Sequence, residues 1–274
     1  MSTLKEKVMV INLSISQWTA RKFDPTASKE VATNHAATDA GRFNKILIAG
    51  EALKSIAKVA NSARTFHYQN TLPWKDNGER ILPSENFFNY ASEMAKFRAE
   101  FDSLVGEFIS NYPMLVDEAK ARLNTLFSES DYPAPAIIQK KFKLSYDFDS
   151  ISEVDDFRVA ISEEEADNIR LQIQATIDRR IANAQDEMLN RIRTAVLNMA
   201  DALEMPDKVF RDSLVGNIEE LVELTPILNF NKNQKIDDAV NMMKPLCVDP
   251  NQLRKDAAYR KEIAEKARKI SKLI

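Results

Sequence analysis

The sequence offers few side chains that act as nucleophiles, general bases or soft metal ligands near neutral pH. Its 274 residues include two histidines, His35 and His67, and one cysteine, Cys247. One cysteine cannot form an intramolecular disulfide, and zinc or iron sites usually take at least one histidine or cysteine. His67 stands at the end of a predicted helix, where no neighbouring residue supplies both a nucleophile and an orienting acid. We therefore expect structural roles for both histidines, and we predict no catalytic residue, no metal and no cofactor.

Carboxylates are concentrated in one segment, from Asp147 to Asp167, which holds nine acids in 21 residues against a single Arg158. Ser162 and Glu165 have the spacing of a capping box, and acids in the first turn of a helix complement its dipole. In this interpretation, the acids that follow Ser162 stabilise the start of a helix. The second interpretation is a surface, here called the acidic tip, that binds a basic partner or, weakly, a metal. Its residues are Asp147, Asp149, Glu153, Asp155, Asp156, Glu163 and Glu164.

The last 24 residues have the opposite charge, because residues 251–274 hold eight Lys or Arg and three acids, a difference of +5. The cations, here called the basic tail, are Arg254, Lys255, Arg260, Lys261, Lys266, Arg268, Lys269 and Lys272. One interpretation is a solvated helix face with cations near its C-terminus. The others are contact with a phosphate backbone, or pairing with the acidic tip of a neighbouring copy. Head-to-tail pairing of that kind builds rings or filaments.

Two long helical runs must position these charged segments. Residues 162–203 contain no glycine and no proline, and their apolar side chains recur at helical spacing over roughly 63 Å. The stripe averages about 3.8 residues per step, so a regular left-handed coiled coil, which needs about 3.5, is not expected. The first run, residues 84–127, contains Pro113, which predicts a kink or short break near Asn111. Its aromatic stripe is predicted to be core, and consists of Phe87, Phe88, Phe97, Phe101 and Phe108.

Period-two alternation predicts strands at residues 9–16, 142–148 and 157–161. The last two form a predicted hairpin between the long helices, and the N-terminal strand is expected to join it because an isolated hairpin is marginally stable. Residues 70–83 hold Pro73, Gly78 and Pro83 and are predicted to be a loop, which Trp74 anchors on the long helices. Shorter helices are predicted at residues 26–40, 43–66, 207–224, 235–244 and 250–274.

These elements predict a mainly α fold. Its parts are a long antiparallel helical hairpin, a small antiparallel β-sheet made of the N-terminal strand and the inserted hairpin, and shorter C-terminal helices. We predict one elongated domain over residues 1–274. Its sub-regions are an N-terminal strand and helices (1–83), the long hairpin with its β insertion at 136–161 (84–205), and C-terminal helices (206–274). The apolar share of 44%, the charged share of 29%, the single cysteine and the lack of an apolar span predict a cytoplasmic protein without membrane contact.

Four segments carry a family resemblance: Gly41-Arg42-Phe43-Asn44-Lys45, residues 63–74 (ARTFHYQNTLPW), Asp131-Tyr132-Pro133, and Asp156-Phe157-Arg158-Val159. They resemble a family of uncharacterised proteins of tailed phages, prophages and integrative elements, over most of the chain. Members tend to be encoded near MoxR-like ATPases and von Willebrand-type proteins, or near recombination genes. The resemblance implies a phage or mobile-element origin and a setting in the host cytoplasm. It carries over no catalytic residues.

Three functional hypotheses follow. The first is a non-enzymatic phage or mobile-element protein that forms homo-oligomers or acts as an adaptor to a protein partner, such as an ATPase or a host defence factor. The alternative is a nucleic-acid-binding protein of phage recombination or replication that uses the basic tail. The third is an enzyme with a scattered carboxylate site. The sequence leaves open whether the long helices pair within one chain or between two.

Overall fold

The computed structural model describes residues 3–38, 41–151, 162–205 and 208–274, and the predicted mainly α class is confirmed. The helices of the described residues are α1 (Leu4–Lys7), α2 (Pro25–Asn34), α3 (Glu51–Asn70), α4 (Phe87–Leu123), α5 (Pro135–Gln139), α6 (Glu163–Glu204), α7 (Ser213–Leu228), α8 (Gln234–Met243), α9 (Pro250–Lys255) and α10 (Ala257–Leu273). The strands are β1 (Val8–Ser16), β2 (Arg21–Phe23), β3 (Asn44–Ile46), β4 (Leu72–Pro73), β5 (Arg80–Pro83) and β6 (Lys143–Asp149).

The strands form two small sheets. The first has the order β4-β5-β1-β6, with antiparallel pairing of β5 to both β4 and β1. The N-terminal strand β1 therefore neighbours β6, as expected. The second strand of the predicted hairpin, at residues 157–161, lies outside the described residues. The second sheet is an antiparallel β2-β3 ribbon that the sequence did not predict.

The prediction that residues 70–83 form a loop was wrong, because this segment contains strands β4 and β5. Gly78 adopts a φ of +92° in the turn between them, a region that favours glycine. The Trp74 amide donates to the Glu79 carbonyl at 3.0 Å, which closes the turn. The Trp74 side chain is buried and lies 5.4 Å below the Arg180 guanidinium of α6. Trp74 therefore anchors this segment on α6, one of the two long helices on which the anchoring was predicted.

Both long helices form, with local corrections. Helix α4 continues through Pro113, so the predicted break is absent there; Pro113 is exposed, and water can replace the hydrogen bond that proline removes. The prediction that Phe88 belongs to the aromatic core was wrong. Phe88 is 82% exposed, because it lies on the side of α4 opposite the buried Tyr90. At the start of α6, Ser162 Oγ accepts the Glu165 amide at 3.3 Å and donates to the Glu165 carboxylate at 2.8 Å. The predicted cap is confirmed.

The chain divides into two compact units, each built from non-contiguous segments. Unit 1 comprises Met1–Asn12, Tyr68–Tyr90 and Asp147–Ile274. Unit 2 comprises Leu13–His67 and Ala91–Tyr146. The prediction of a single elongated domain stays a prediction. In the described part of the chain, no helix is long and apolar enough to cross a membrane.

Unit 1 has two apolar clusters arranged along α6. The C-terminal half of α6 packs against α7, α8 and α10 through residues such as Ile192, Met199 and Ile263, all of them buried. Farther toward its N-terminus, Ile177 and Met188 pack against the strands through Trp74 and its neighbours. Helix α6 therefore contributes to both apolar clusters of this unit.

Unit 2 has an aromatic core. Trp18 lies 6.2 Å from Phe108 and 5.9 Å from Tyr112, measured between ring centroids, and Phe108 lies 5.7 Å from Phe142. Aromatic pairs at these separations pack edge to face or tilted, which adds to the stability that burial provides. Phe101 and Phe108, two members of the predicted stripe, are buried here.

Candidate interaction surfaces

The basic tail is a packed helix and not a loose arm. Helix α10 runs antiparallel to the end of α6, because Arg260 bonds to the carbonyls of Ala202 and Leu203 while Arg193 bonds to the carbonyl of Ile274. Its inner face, with Ile263, Ala264 and Ala267, is buried in the unit 1 core. The cations of the tail are therefore fixed around the C-terminal end of α6.

Four of the eight predicted tail cations serve the fold itself. Arg268 forms ion pairs with Asp201 and Glu204 at 2.5 Å, and hydrogen bonds to these carboxylates raise the pKa of Arg268 above its ordinary value. Lys266 pairs with Glu262 at 2.6 Å on its own helix, and this hydrogen bond raises the pKa of Lys266. These contacts explain why the sequence overestimates the charge available to a partner.

Arg254 and Arg260 complete this set. Arg254 pairs with Asp212 and donates to the Phe210 carbonyl at 3.2 Å. Arg260 donates to four carbonyls that follow or end α6, those of Ala202, Leu203, Met205 and Lys208. The Phe210 ring lies 5.0 Å from the Arg254 guanidinium and 5.3 Å from that of Arg260, within reach of cation–π attraction. Both arginines are therefore structural.

The other four cations are exposed and form no ion pair or hydrogen bond within the described residues, although the charge of Lys272 helps to lower the pKa of Glu204; they are Lys255, Lys261, Lys269 and Lys272. At about 100° per residue, the three lysines on α10 fall within a sector of about 80°. This sector lies on the outer side of α10, away from buried Ile263 and Ala267. It is the part of the predicted basic tail that remains available to a partner.

A groove lies where Lys255 and Lys261 meet the end of α6. Its volume is about 540 Å³, and its apolar lining comes from Leu203, Leu253, Ala257 and Ala264. Its charged lining comes from Arg254, Lys255, Arg260 and Lys261, against Glu204 and Glu265. Two apolar side chains close to this end of α6 are solvent-exposed: Met205 at 53% and Val209 at 92%. The groove therefore combines an apolar floor with a cationic rim.

The acidic tip is described in part. Asp147 and Asp149 lie exposed at the end of β6, and Glu163 and Glu164 lie exposed in the first turn of α6. Glu153, Asp155 and Asp156 lie outside the described residues. No group of three or more His, Cys, Asp or Glu side chains in the described segments could hold a metal ion. The role of these acids as a partner surface stays a prediction.

The first third of α6 is poorly covered. Its first buried residue is Ile177, so the helix contributes no buried side chain over residues 163–176. Ile169 and Ile173 are half-buried, and Leu171 is 70% exposed. This end therefore offers one exposed apolar side chain, Leu171, near its carboxylates. The 42 residues of α6 separate it from the basic end by roughly 63 Å.

The structure also contains a buried ion cluster in unit 2 that sequence reasoning missed. Lys45 Nζ lies 2.5 Å from Asp131 Oδ2, 3.0 Å from Asp24 Oδ2 and 3.1 Å from the Leu126 carbonyl. Lys22 Nζ bonds to the other Asp131 oxygen at 2.7 Å. The Lys45 and Asp131 side chains are 8% and 6% exposed. Two of the family-like segments, residues 41–45 and 131–133, thus meet at this ion pair.

The charges of this cluster are mutually stabilised. The hydrogen bond to Asp131 raises the pKa of Lys45, although burial lowers it. Burial raises the pKa of Asp131, but the hydrogen bonds and charges of Lys22 and Lys45 outweigh this and lower it overall. The Ala27 amide and Lys45 lower the pKa of Asp24. Lys45 therefore stays protonated near neutral pH and cannot serve as an amine nucleophile; its role is to join β3 to the segment before α5.

A second cluster that the sequence did not predict lies in unit 1, where two arginines bond to the end of the family-like segment 63–74. The Thr71 carbonyl accepts from Arg80 at 2.8 Å and from Arg191 of α6 at 3.0 Å, and Arg191 also bonds to the Gln69 carbonyl. Burial, followed by the like charge of Arg191, lowers the pKa of Arg80 to about 10. Arg80 also donates to the Thr71 hydroxyl, and Arg191 also pairs with Glu187 on its own helix. The bonds of Arg191 to the Gln69 and Thr71 carbonyls hold this segment on α6.

The two histidines and the cysteine, the residue types first considered for chemistry, differ in exposure. His67 is buried and His35 follows the end of α2 in an exposed position. Burial, and then the charges of Glu219 and Glu223, raise the pKa of Cys247, which disfavours the reactive thiolate.

Comparison of the chain with protein-family models, with curated proteins and with solved structures finds no match.

Proposed function

We propose that this chain is a non-enzymatic interaction protein of phage or mobile-element origin, acting in the host cytoplasm. It self-associates, or it serves as an adaptor to a protein partner such as an ATPase or a host defence factor. The resemblance of its loop segments to phage and mobile-element proteins supports the origin.

The observation that carries the proposal is the separation of charge along one helix. Exposed Glu163 and Glu164 begin α6, and exposed lysines of α9 and α10 surround its end. A continuous helix holds the two groups roughly 63 Å apart. Since each copy offers one surface of each sign, copies attract one another end to end, and such heterologous contacts build chains or rings.

The salt dependence of assembly tests this proposal. We expect oligomers at micromolar concentration in low salt, detected by mass photometry and sedimentation velocity. Raising the salt concentration should dissociate them, because exposed charges are screened beyond about 10 Å at 0.1 M salt. A strict monomer that does not respond to salt would contradict self-association. Co-purification from infected cells then tests the adaptor branch by identifying what binds.

A second candidate function, nucleic-acid binding, is supported by the exposed lysines among the described tail residues. Lysines on one helix face can contact successive phosphates, and such binding weakens as salt rises. We expect replacement of Lys255, Lys261, Lys269 and Lys272 by alanine to abolish salt-sensitive binding to single- or double-stranded DNA. If the intact protein shifts neither DNA at low salt, this candidate function is excluded.

A further inference from the structure

We infer that the groove at the C-terminal end of α6 is the receptor for the N-terminal turns of α6 from a second copy of this chain. The inference rests on the proposed self-association and names its two contact surfaces. The groove is lined by Leu203, Leu253 and Ala264 and rimmed by Lys255 and Lys261. Its occupant is the segment from Glu163 to Leu171.

Charge complementarity identifies this occupant. The rim lysines Lys255 and Lys261 are exposed and have no partner within the described residues, so they can pair with an incoming carboxylate. Glu163 and Glu164 are exposed in the first turn of α6 and offer such carboxylates. Charge pairs of this kind steer association and fix its register more than they set its affinity.

Apolar complementarity supports the same occupant. The groove floor is apolar, and about 540 Å³ accommodates a few side chains of a docked helix. Leu171 is 70% exposed, whereas Ile169 and Ile173 lie on the opposite side of the helix and are half-buried. An exposed leucine two turns from a pair of glutamates matches a groove that has an apolar floor and a basic rim. Burial of Leu171 there would remove apolar surface from water in both copies.

The geometry of α6 requires the occupant to come from another copy. The groove and the acidic start of α6 lie at opposite ends of one continuous 42-residue helix, so a copy cannot fill its own groove. After one contact forms, one groove and one helix start stay open on the pair. The contact is therefore heterologous, and repetition gives a ring or an open filament.

Charge reversal in the full-length chain tests this inference. The groove variant is Lys255→Glu with Lys261→Glu, and the tip variant is Glu163→Lys with Glu164→Lys. The control, Lys269→Glu with Lys272→Glu, makes the same charge change on α10 outside the groove lining. All six side chains are exposed, so circular dichroism and thermal unfolding should match the wild type. We expect the groove and tip variants each to weaken assembly by at least about tenfold, and the control far less.

Mixing the two variants tests whether the groove and the start of α6 pair with each other. Each variant keeps a wild-type-like charge on one surface only, and the reversed groove of one complements the reversed tip of the other. We therefore expect an equimolar mixture to recover the assembly that neither variant shows alone. Leu171→Ser should weaken wild-type assembly without altering its salt dependence.

The outcomes distinguish the inference from the proposed function. If the wild type assembles in a salt-sensitive way and the groove variant assembles equally well, the groove inference is overturned while self-association stands. If both variants lose assembly and the mixture fails to recover it, head-to-tail pairing is overturned. Loss of DNA binding in the groove variant with assembly intact would assign the groove to nucleic acid and overturn the inference. A wild type that remains monomeric in low salt overturns self-association itself.

Discussion

The Lys45 ammonium group lies between two carboxylates in unit 2, and its buried position makes the loss of either partner costly. We expect Lys45→Met to lower the free energy of unfolding by roughly 3 kcal/mol, because it removes a buried cation that contacts both Asp131 and Asp24 and leaves both carboxylates without it. Urea unfolding at neutral pH measures this change.

The matched control is Lys22→Met, whose native side chain is 48% exposed and pairs with the same aspartate. An exposed pair contributes less than about 1 kcal/mol, so the control should stay close to the wild type. Equal losses in the two variants would show that burial of Lys45 is not what makes its pair matter.

The same cluster predicts a dependence of stability on acid. The pKa values of Asp24 and Asp131 are lower in the folded chain than in the unfolded chain, so their stabilisation is complete above about pH 4. As the pH falls through the lower folded values, the native state loses this stabilisation. We expect the urea midpoint to fall as the pH drops below about 4, the ordinary pKa of an aspartate.

Lys45→Met should make the urea midpoint depend less on pH in acid, because Asp24 and Asp131 then lose a cation that lowers their pKa values. Urea midpoints collected for both proteins across this range make the comparison. Parallel pH profiles would show that other carboxylates set the acid sensitivity.

At the scale of elements, Arg260 ends α6 by donating to the carbonyls of residues 202, 203, 205 and 208. Lysine keeps the charge but lacks the planar fork of donors that reaches several carbonyls. We expect Arg260→Lys to lower the free energy of unfolding by about 2 kcal/mol. Amide hydrogen exchange should accelerate in the last turn of α6.

The control for Arg260→Lys is Lys261→Ala, an exposed neighbour with no partner among the described residues. It should change stability by less than about 0.5 kcal/mol. If Arg260→Lys left both the unfolding curve and the exchange of the last turn unchanged, the carbonyl contacts would not be what ends the helix.

Elements that depend on local periodicity could be predicted from the sequence. Helix α6 begins after Ser162, as its capping pattern indicates, and ends one residue beyond the predicted boundary. The strands β2 to β5 were missed because they are two to four residues long and too short to show alternation. Their existence depends on pairing between segments, such as Val8 with Pro83, that no local window contains.

The candidate surfaces were predictable to the extent that their charges lacked partners. Lys255 and Lys261 were identified correctly as exposed tail cations. The availability of the Arg268 charge to a partner was overestimated, because Asp201 and Glu204 of α6 neutralise it. The Lys45 cluster was missed for the same reason, since Asp131 lies far along the chain. Charge clusters are visible in sequence, but their neutralisation is a tertiary property.

At the scale of the whole molecule, four elements contribute residues to both units: β1, α3, α4 and β6. If one unit unfolded alone, each of these continuous elements would lose backbone hydrogen bonds where it crosses the unit boundary. We therefore expect the two units to unfold in one cooperative transition. Each unit contains one of the two tryptophans, Trp18 in unit 2 and Trp74 in unit 1, so each can report on its own surroundings.

Single-tryptophan variants test this coupling. In Trp74→Phe the fluorescence reports unit 2, and in Trp18→Phe it reports unit 1. Lys45→Met lies in unit 2, and in a coupled molecule it should shift the urea midpoints of both reporters by the same amount relative to matched backgrounds. Lys22→Met should shift neither by a measurable amount. If Lys45→Met moved the Trp18 transition and left that of Trp74 in place, the units would unfold separately, and the continuous elements would not transmit stability between them.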